Sequence, residues 1–309
     1  MITSIFNKTR PINYILLSFI LLAFYTMFQD VSVLNSSSVV SWGLVSGGFL
    51  LLLASLFLIQ FIYNRNNLVR DNMYGPLFFL LFCILFPSLF LNFNTIGSVF
   101  FLVLAFRRLI SLKSMVQIKQ KLFDACVFIL IASLFHFWNI LFLLVVFVAI
   151  LIHVAYDFKN WIIPIIATLI IGSIVVLYAM LTDGPLLIYI YESAVIDYKL
   201  DYFETDLQRI ALAIFTSIVV LFFSSSLLSY NSKPLNQHGA YRLLYLILLV
   251  AIGVYLISPN KSNSLLAYTF FPLSIFGSNL IEKLETKWIQ EAVIIGIAVL
   301  SMGVYFIQL

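Results

Sequence analysis

Charge is scarce in this chain. Asp, Glu, Lys and Arg make up 10% of its 309 residues, and the longest polar stretch covers only about residues 182–207. That leaves no segment from which a soluble domain could be built. Hydrophobic residues account for 63% of the chain, and the mean hydropathy is +1.09. A water-soluble core of this size cannot hide so much apolar surface. Cysteine is nearly absent as well. Cys83 and Cys126 both fall inside apolar runs, where a thiol behaves as a small hydrophobe, so neither a disulfide framework nor a thiolate metal site is indicated. There is no glycine-rich phosphate loop, no histidine pair at metal-binding spacing and no nucleophile elbow. His136, His153 and His238 are too far apart in sequence to suggest one metal site. No metal ligand set and no cofactor can be assigned. The net charge of +4 is scattered over short loops, which excludes a nucleic-acid surface. Deep chains of ionisable residues are missing too, which counts against a proton-coupled transporter.

What is present is a series of long apolar runs. Leu243–Ile257 and Trp161–Leu181 are continuous and lack the alternation of barrel strands, so the crossings are helices. The chain reads as an all-α, polytopic transmembrane bundle forming a single integral-membrane domain, residues 1–309. A crossing needs about 20 apolar residues, which gives about eleven spans. They lie near 12–28, 40–63, 74–92, 95–109, 123–136, 138–156, 161–181, 208–229, 242–258, 265–281 and 288–308. Asn7–Lys8–Thr9–Arg10 precedes a full-length span without a cleavage site after it, unlike a removed signal. With the N-terminus cytoplasmic and the C-terminus external, fourteen of the seventeen Lys and Arg residues fall on the cytoplasmic side, leaving only Lys199, Arg209 and Lys261 outside.

Two stretches are tight. Arg70 and Arg107 both belong inside, so the residues between them must cross twice with legs of roughly 27 Å, turning at Asn92–Phe93–Asn94–Thr95. Lys121 and Lys159 impose the same condition, with a turn at His136–Phe137–Trp138–Asn139. Each hairpin either spans a thin membrane or is re-entrant and shielded by other helices. Between them, Leu112, Met115, Ile118 and Leu122 recur at helical spacing. That pattern fits a short helix lying on the cytoplasmic surface, the alternative being an ordinary basic loop. Arg107 and Arg108 at a span end, with Lys113 beyond them, are candidate lipid-headgroup contacts or simple topology anchors. Asp124 sits where pairing with Lys121 is cheap.

The one long external loop is acidic and aromatic. If 196–207 is helical, Asp197, Asp201 and Glu204 share a face, with Tyr198 and Tyr202 on the neighbouring stripe. Carboxylates beside aromatic rings suit a sugar or a cation as substrate; the alternative is a solvated loop with an interfacial aromatic belt.

Asp30 follows the first span directly, and Lys261 lies in Pro259–Asn260–Lys261–Ser262 of the last external loop but one. This layout resembles the GT-C glycosyltransferases, membrane enzymes that use polyprenyl-phosphate-linked sugars. The resemblance implies Asp30 as catalytic base or metal ligand and Lys261 as a contact for the donor phosphate. The chain departs from that superfamily in its short first external loop. A second resemblance rests on Ser4–Ile5–Phe6–Asn7–Lys8–Thr9–Arg10–Pro11–Ile12–Asn13–Tyr14, Phe106–Arg107–Arg108–Leu109–Ile110–Ser111–Leu112, Lys121–Leu122–Phe123–Asp124–Ala125 and Asn160–Trp161–Ile162–Ile163–Pro164. These blocks are similar to an integral-membrane family of flavobacteria of unknown function, which implies the multi-pass inner membrane of a diderm bacterium. Two functions follow as expectations: a GT-C-like transferase acting on a polyprenyl-phosphate lipid at the outer face, or a non-enzymatic subunit docking other membrane proteins of an envelope assembly. Reporter fusions test the topology. External signals are expected at Ser37, Thr205 and the C-terminus, and cytoplasmic signals at Lys119 and Asn236. A cytoplasmic signal at both Thr205 and the C-terminus would refute the span parity.

Overall fold

Lipid offers no hydrogen-bond partners, so a chain this apolar must close its backbone bonds within each crossing. The computed structural model describes residues 2–29, 39–182, 185–200, 202–203 and 206–308, without the side chains of 2, 39 and 185–187. It is all-helical, with 84% helix and no strand among the described residues. Seven described helices are long and apolar enough to cross a membrane: Val40–Asn66, Phe93–Ser114, Phe158–Leu181, Asp206–Leu228, Leu235–Ile257, Asn263–Lys283 and Lys287–Gln308. Pro11–Met27, Tyr74–Leu85 and Phe137–His153 are shorter apolar helices, and Ile118–Phe135 carries Lys119, Lys121 and Asp124 near its start. This is the architecture of a multi-pass membrane protein in contact with lipid. Both cysteines are free and buried.

Contacts gather into two compact units, each built from segments that are discontinuous along the chain. The first comprises Met1–Ile96, Phe203–Ser232 and Ser262–Leu309, and the second Gly97–Tyr202 and Lys233–Lys261.

In the first unit every residue of Tyr74–Leu85 is buried. A twelve-residue helix is too short to face lipid across a full membrane, and here protein surrounds it. Phe78, Phe82 and Phe86 follow at i, i+4 and i+8, so they share one face. That face meets Phe222 (5.1 Å from Phe78, 72°), Phe215 (5.5 Å from Phe82, 90°) and Phe270, which stacks on Phe86 at 13°. Such edge and stacked pairs add about 0.5–1.5 kcal/mol each beyond the area they bury. Phe86 adopts φ −120°, ψ 74° because Pro87 follows and disfavours the helical region. The helix therefore stops there, and the short Ser88–Leu91 turn leads to Asn92. The Asn92 side chain accepts the Thr95 N–H at 3.1 Å, an N-cap that starts the next helix within the expected turn.

Polar bonds gather at the two ends of this unit. At one end the Met73 N–H donates to Phe6 O (2.9 Å), and Glu282 accepts from the Arg70 N–H (2.7 Å) and the Asn72 amide (2.5 Å). There the Ile2–Phe6 helix, which the sequence pattern did not suggest, places Thr3 3.0 Å from Glu291. At the other end Gln29 donates to Phe90 O (3.1 Å), Asn263 to Gln208 O (3.1 Å) and Tyr305 to Phe24 O (2.7 Å).

In the second unit Ile118–Phe135 packs against Phe158–Leu181, and Leu143–His153 against Leu235–Ile257. The hairpin turn falls at His136, in extended backbone at φ −146°, and a 3-10 stretch, Phe137–Phe142, precedes Leu143–His153. The expected surface helix across 111–122 does not form. Ser111–Ser114 is a 3-10 turn, and Met115 (φ 55°) and Gln117 (φ 51°) are left-handed, a conformation that no helix of L-residues continues through. The Lys121 ammonium holds the break together by reaching back to Ser111 O (2.8 Å) and Ser114 Oγ (2.7 Å). It is thus not the partner of Asp124, which pairs with Arg108 at 3.0 Å.

Two glycines of the first unit mark the closest approaches. A Cβ on Gly75 would lie 1.8 Å from Tyr63 Cε2, and one on Gly277 2.4 Å from Phe222 Cε2, whereas Gly296 has nothing within 4 Å. Gly75→Ala and Gly277→Ala are each expected to destabilise the detergent-solubilised protein by about 1–3 kcal/mol, as overpacking does. Gly296→Ala should not lower the thermal midpoint, since its Cβ meets nothing and Ala favours the helix. Equal midpoints for all three variants would refute this packing.

Candidate functional site

The residues singled out at the acidic loop lie at one end of the second unit. The Pro185–Ser193 helix ends with the Ala194 N–H bonded to Ile190 O, and the chain then runs without helix from Val195 to Leu200. The helical face expected over 196–207 is therefore absent from the described residues, and the next helix starts at Asp206. The cause is visible in the bonds: Asp197 spends its backbone on tertiary partners. Its N–H donates to Ile257 O at 3.0 Å, its carbonyl accepts from the Lys261 ammonium, and its Oδ1 accepts the Lys199 N–H at 2.9 Å. The last is an Asx turn, the local alternative to helix that Asp offers.

Lys261 reaches that carbonyl because Pro259 and a left-handed Asn260 (φ 49°) turn the chain sharply after the Leu235–Ile257 helix. Lys261 as a whole is 7% exposed. Around it the segment is stitched down by aromatic polar groups. Tyr202 and Tyr255 share a hydrogen bond of 2.6 Å with their rings edge to face at 87°. Burial, and then the bond to Tyr255, pushes the Tyr202 phenol well above its ordinary range. Trp138 donates to Val195 O (3.3 Å) and Tyr189 to Phe135 O (2.8 Å). His136 Nε2 lies 2.8 Å from Ser258 Oγ, whose hydroxyl donates to Val254 O at 2.6 Å.

The structure thus joins Asp197 to Lys261 and, separately, Tyr202 to Tyr255, in structural bonds, while Tyr198 is 71% exposed. Asp30, Asp201 and Glu204 lie outside the described residues. Among the described residues no three His, Cys, Asp or Glu side chains gather closely enough to hold a metal ion.

The opposite end of the second unit holds the headgroup candidates. Arg108 is held by Asp124. Lys113 leaves its neighbours Arg107 and Arg108 and joins Arg242, His238 and His153 around a cavity of about 630 Å³. The two histidines, remote in sequence, line the same cavity. Their approach depends on Gly239, where a Cβ would stand 2.7 Å from His153 Cε1. Helical spacing from His238 to Arg242 was the available signal, but the helix begins at Leu235, a full two turns before the apolar run that marks it in sequence.

No protein-family model, curated protein or solved structure matches this chain. The structural role of Lys261 is directly testable. Lys261→Met removes a charged donor from a buried carbonyl, a loss of about 1–3 kcal/mol. Amide exchange at Asp197 is expected to quicken by about tenfold or more, with Lys199→Met as an unaffected control. Unchanged exchange in Lys261→Met would show that the ammonium does not hold the segment.

Proposed function

We propose that the chain is a non-catalytic membrane subunit of a bacterial inner-membrane assembly, crossing about eleven times with its N-terminus cytoplasmic and its C-terminus external. The observation that carries the non-catalytic reading is the fate of Lys261. An ammonium that serves a donor phosphate must be free to reach it, and this one is buried against a backbone carbonyl of its own unit. The neighbouring Tyr202 and His136 are likewise spent on Tyr255 and Ser258. Outward faces support a docking role. Gly43, Gly172, Gly253, Gly296 and Gly303 have nothing within 4 Å of a Cβ position, and in lipid, helices associate where small residues let backbones approach.

The topology draws support from the polar ends described above. Segments near residues 3–13, 60–73 and 282–291 bond to one another; so do those near 24–29, 90 and 305, and those near 208 and 263. That alternation is what the positive-inside count requires within the first unit. The inner-membrane location follows from the flavobacterial resemblance.

Purification of the full chain from native membranes in mild detergent, followed by mass spectrometry, tests the reading. A stoichiometric membrane-protein partner is expected, retained by Asp30→Ala and depleted by Gly296→Leu/Gly303→Leu. A chain that emerges alone, with a polyprenyl-phosphate lipid released by Asp30→Ala or Lys261→Ala, would overturn it in favour of the transferase.

A further inference from the structure

The cavity at the basic end of the second unit has a chemistry that neither function uses. It measures about 630 Å³ and is lined by Lys113, His153, Asn236, His238, Gly239 and Arg242, with no Asp or Glu in its lining. Three elements converge there: the Ser111–Ser114 turn, the end of Leu143–His153 and the first two turns of Leu235–Ile257. The last contributes more than side chains. It is a 23-residue helix whose N-cap, Pro234, supplies no side-chain cap, so the positive end of its dipole lies at the cationic side chains of its first two turns. His238 Nε2 donates to Lys233 O at 3.0 Å, which fixes that ring. His153 Nε2 is buried without a hydrogen-bond partner, an orphan of the kind that a ligand or an ordered water satisfies.

A neighbouring cavity of about 640 Å³ shares His153 but contains Asp157 beside Lys119, 3.8 Å apart. The Asp157 carboxylate in its lining repels an anion there. Of the two, the first combines two cations, a helix start without a side-chain cap and a lining without carboxylates, the combination that suits a phosphoryl group. Ile152 and the 85%-exposed Leu235 stand at its edge. That places apolar surface, suited to an acyl chain, beside the charged lining.

We propose that this cavity is a binding site for a phosphoryl group, carried by the headgroup of an anionic phospholipid. Interhelical basic pockets at a membrane surface recognise headgroups in this way. The site holds whether or not the chain serves as a subunit, because it uses none of the residues on which that reading rests.

The test uses the full chain, purified in a non-ionic detergent and depleted of lipid. Binding of phosphatidylglycerol, phosphatidylcholine and inorganic phosphate is followed by native mass spectrometry. Phosphatidylglycerol is expected to bind, and Lys113→Gln/Arg242→Gln to weaken it by about tenfold or more. The charge-matched control Lys8→Gln/Lys287→Gln should leave binding unchanged. Inorganic phosphate binding with the same dependence, without phosphatidylglycerol binding, would uphold the phosphoryl site and assign it a soluble ligand. Equal weakening by both double variants, or equal binding of phosphatidylcholine, would overturn the proposal. Should the cavity variant fail to purify as a single species, Arg242→Gln and His238→Gln alone carry the same comparison at smaller amplitude.

Discussion

The absence of hydrogen-bond partners in lipid governs nearly every polar atom of this protein. Each hydroxyl or amide carried into an apolar helix needs a partner inside the chain, because an unsatisfied one costs several kcal/mol there. The commonest solution is local. Ser18, Ser55, Thr168, Thr216 and Ser217 each donate to the carbonyl one turn earlier, at 2.7–2.9 Å, so a span can carry a hydroxyl without a tertiary contact. Longer side chains cannot fold back in this way and tie one helix to another. Tyr25 donates to Val45 O and Tyr305 to Phe24 O, while Tyr63 meets Ser274. These bonds fix helix pairs at particular heights, which apolar packing alone would leave free to slide.

Packing between helices cannot draw on a hydrophobic drive, since lipid is as apolar as the helix it would replace. The first unit meets that constraint with shape. Rings of Phe78, Phe82, Phe86, Phe215, Phe222 and Phe270 interlock edge to face and stacked, and glycines admit rings that any Cβ would exclude. Close fit supplies the dispersion energy that burial from water would supply in a soluble core. The fully buried Tyr74–Leu85 helix depends on this arrangement, being too short to meet lipid by itself.

The two ends of the second unit show opposite uses of polar residues. At one end the donors of Lys261, Trp138 and Tyr189 meet backbone carbonyls and Tyr202 meets Tyr255, which holds the non-helical segment after Ser193. At the other end cations outnumber carboxylates. Asp124 and Asp157 engage Arg108 and Lys119, while Lys113 and Arg242 line a space that contains no acid.

Much of the architecture follows from sequence alone, for physical reasons. A span must be helical and about 20 residues long, so continuous apolar runs locate Val40–Asn66, Phe158–Leu181, Asp206–Leu228 and Lys287–Gln308 to within a few residues. Pro87 and Asn92 likewise mark the break and the cap between two helices. Periodicity misled at 111–122 and 196–207. There, left-handed Met115 and Gln117, and an Asp197 backbone bonded to Ile257 and Lys261, replaced the helix that local spacing favours. The partners of those bonds are remote in the chain, so no local pattern encodes them. The same holds for the candidate site: that Lys261 is buried, and that His153 and His238 line one cavity with Lys113 and Arg242, depends on which helix ends meet. Hydropathy reports where a helix enters and leaves the membrane; which neighbour it meets there was decided by the tertiary fit of side chains.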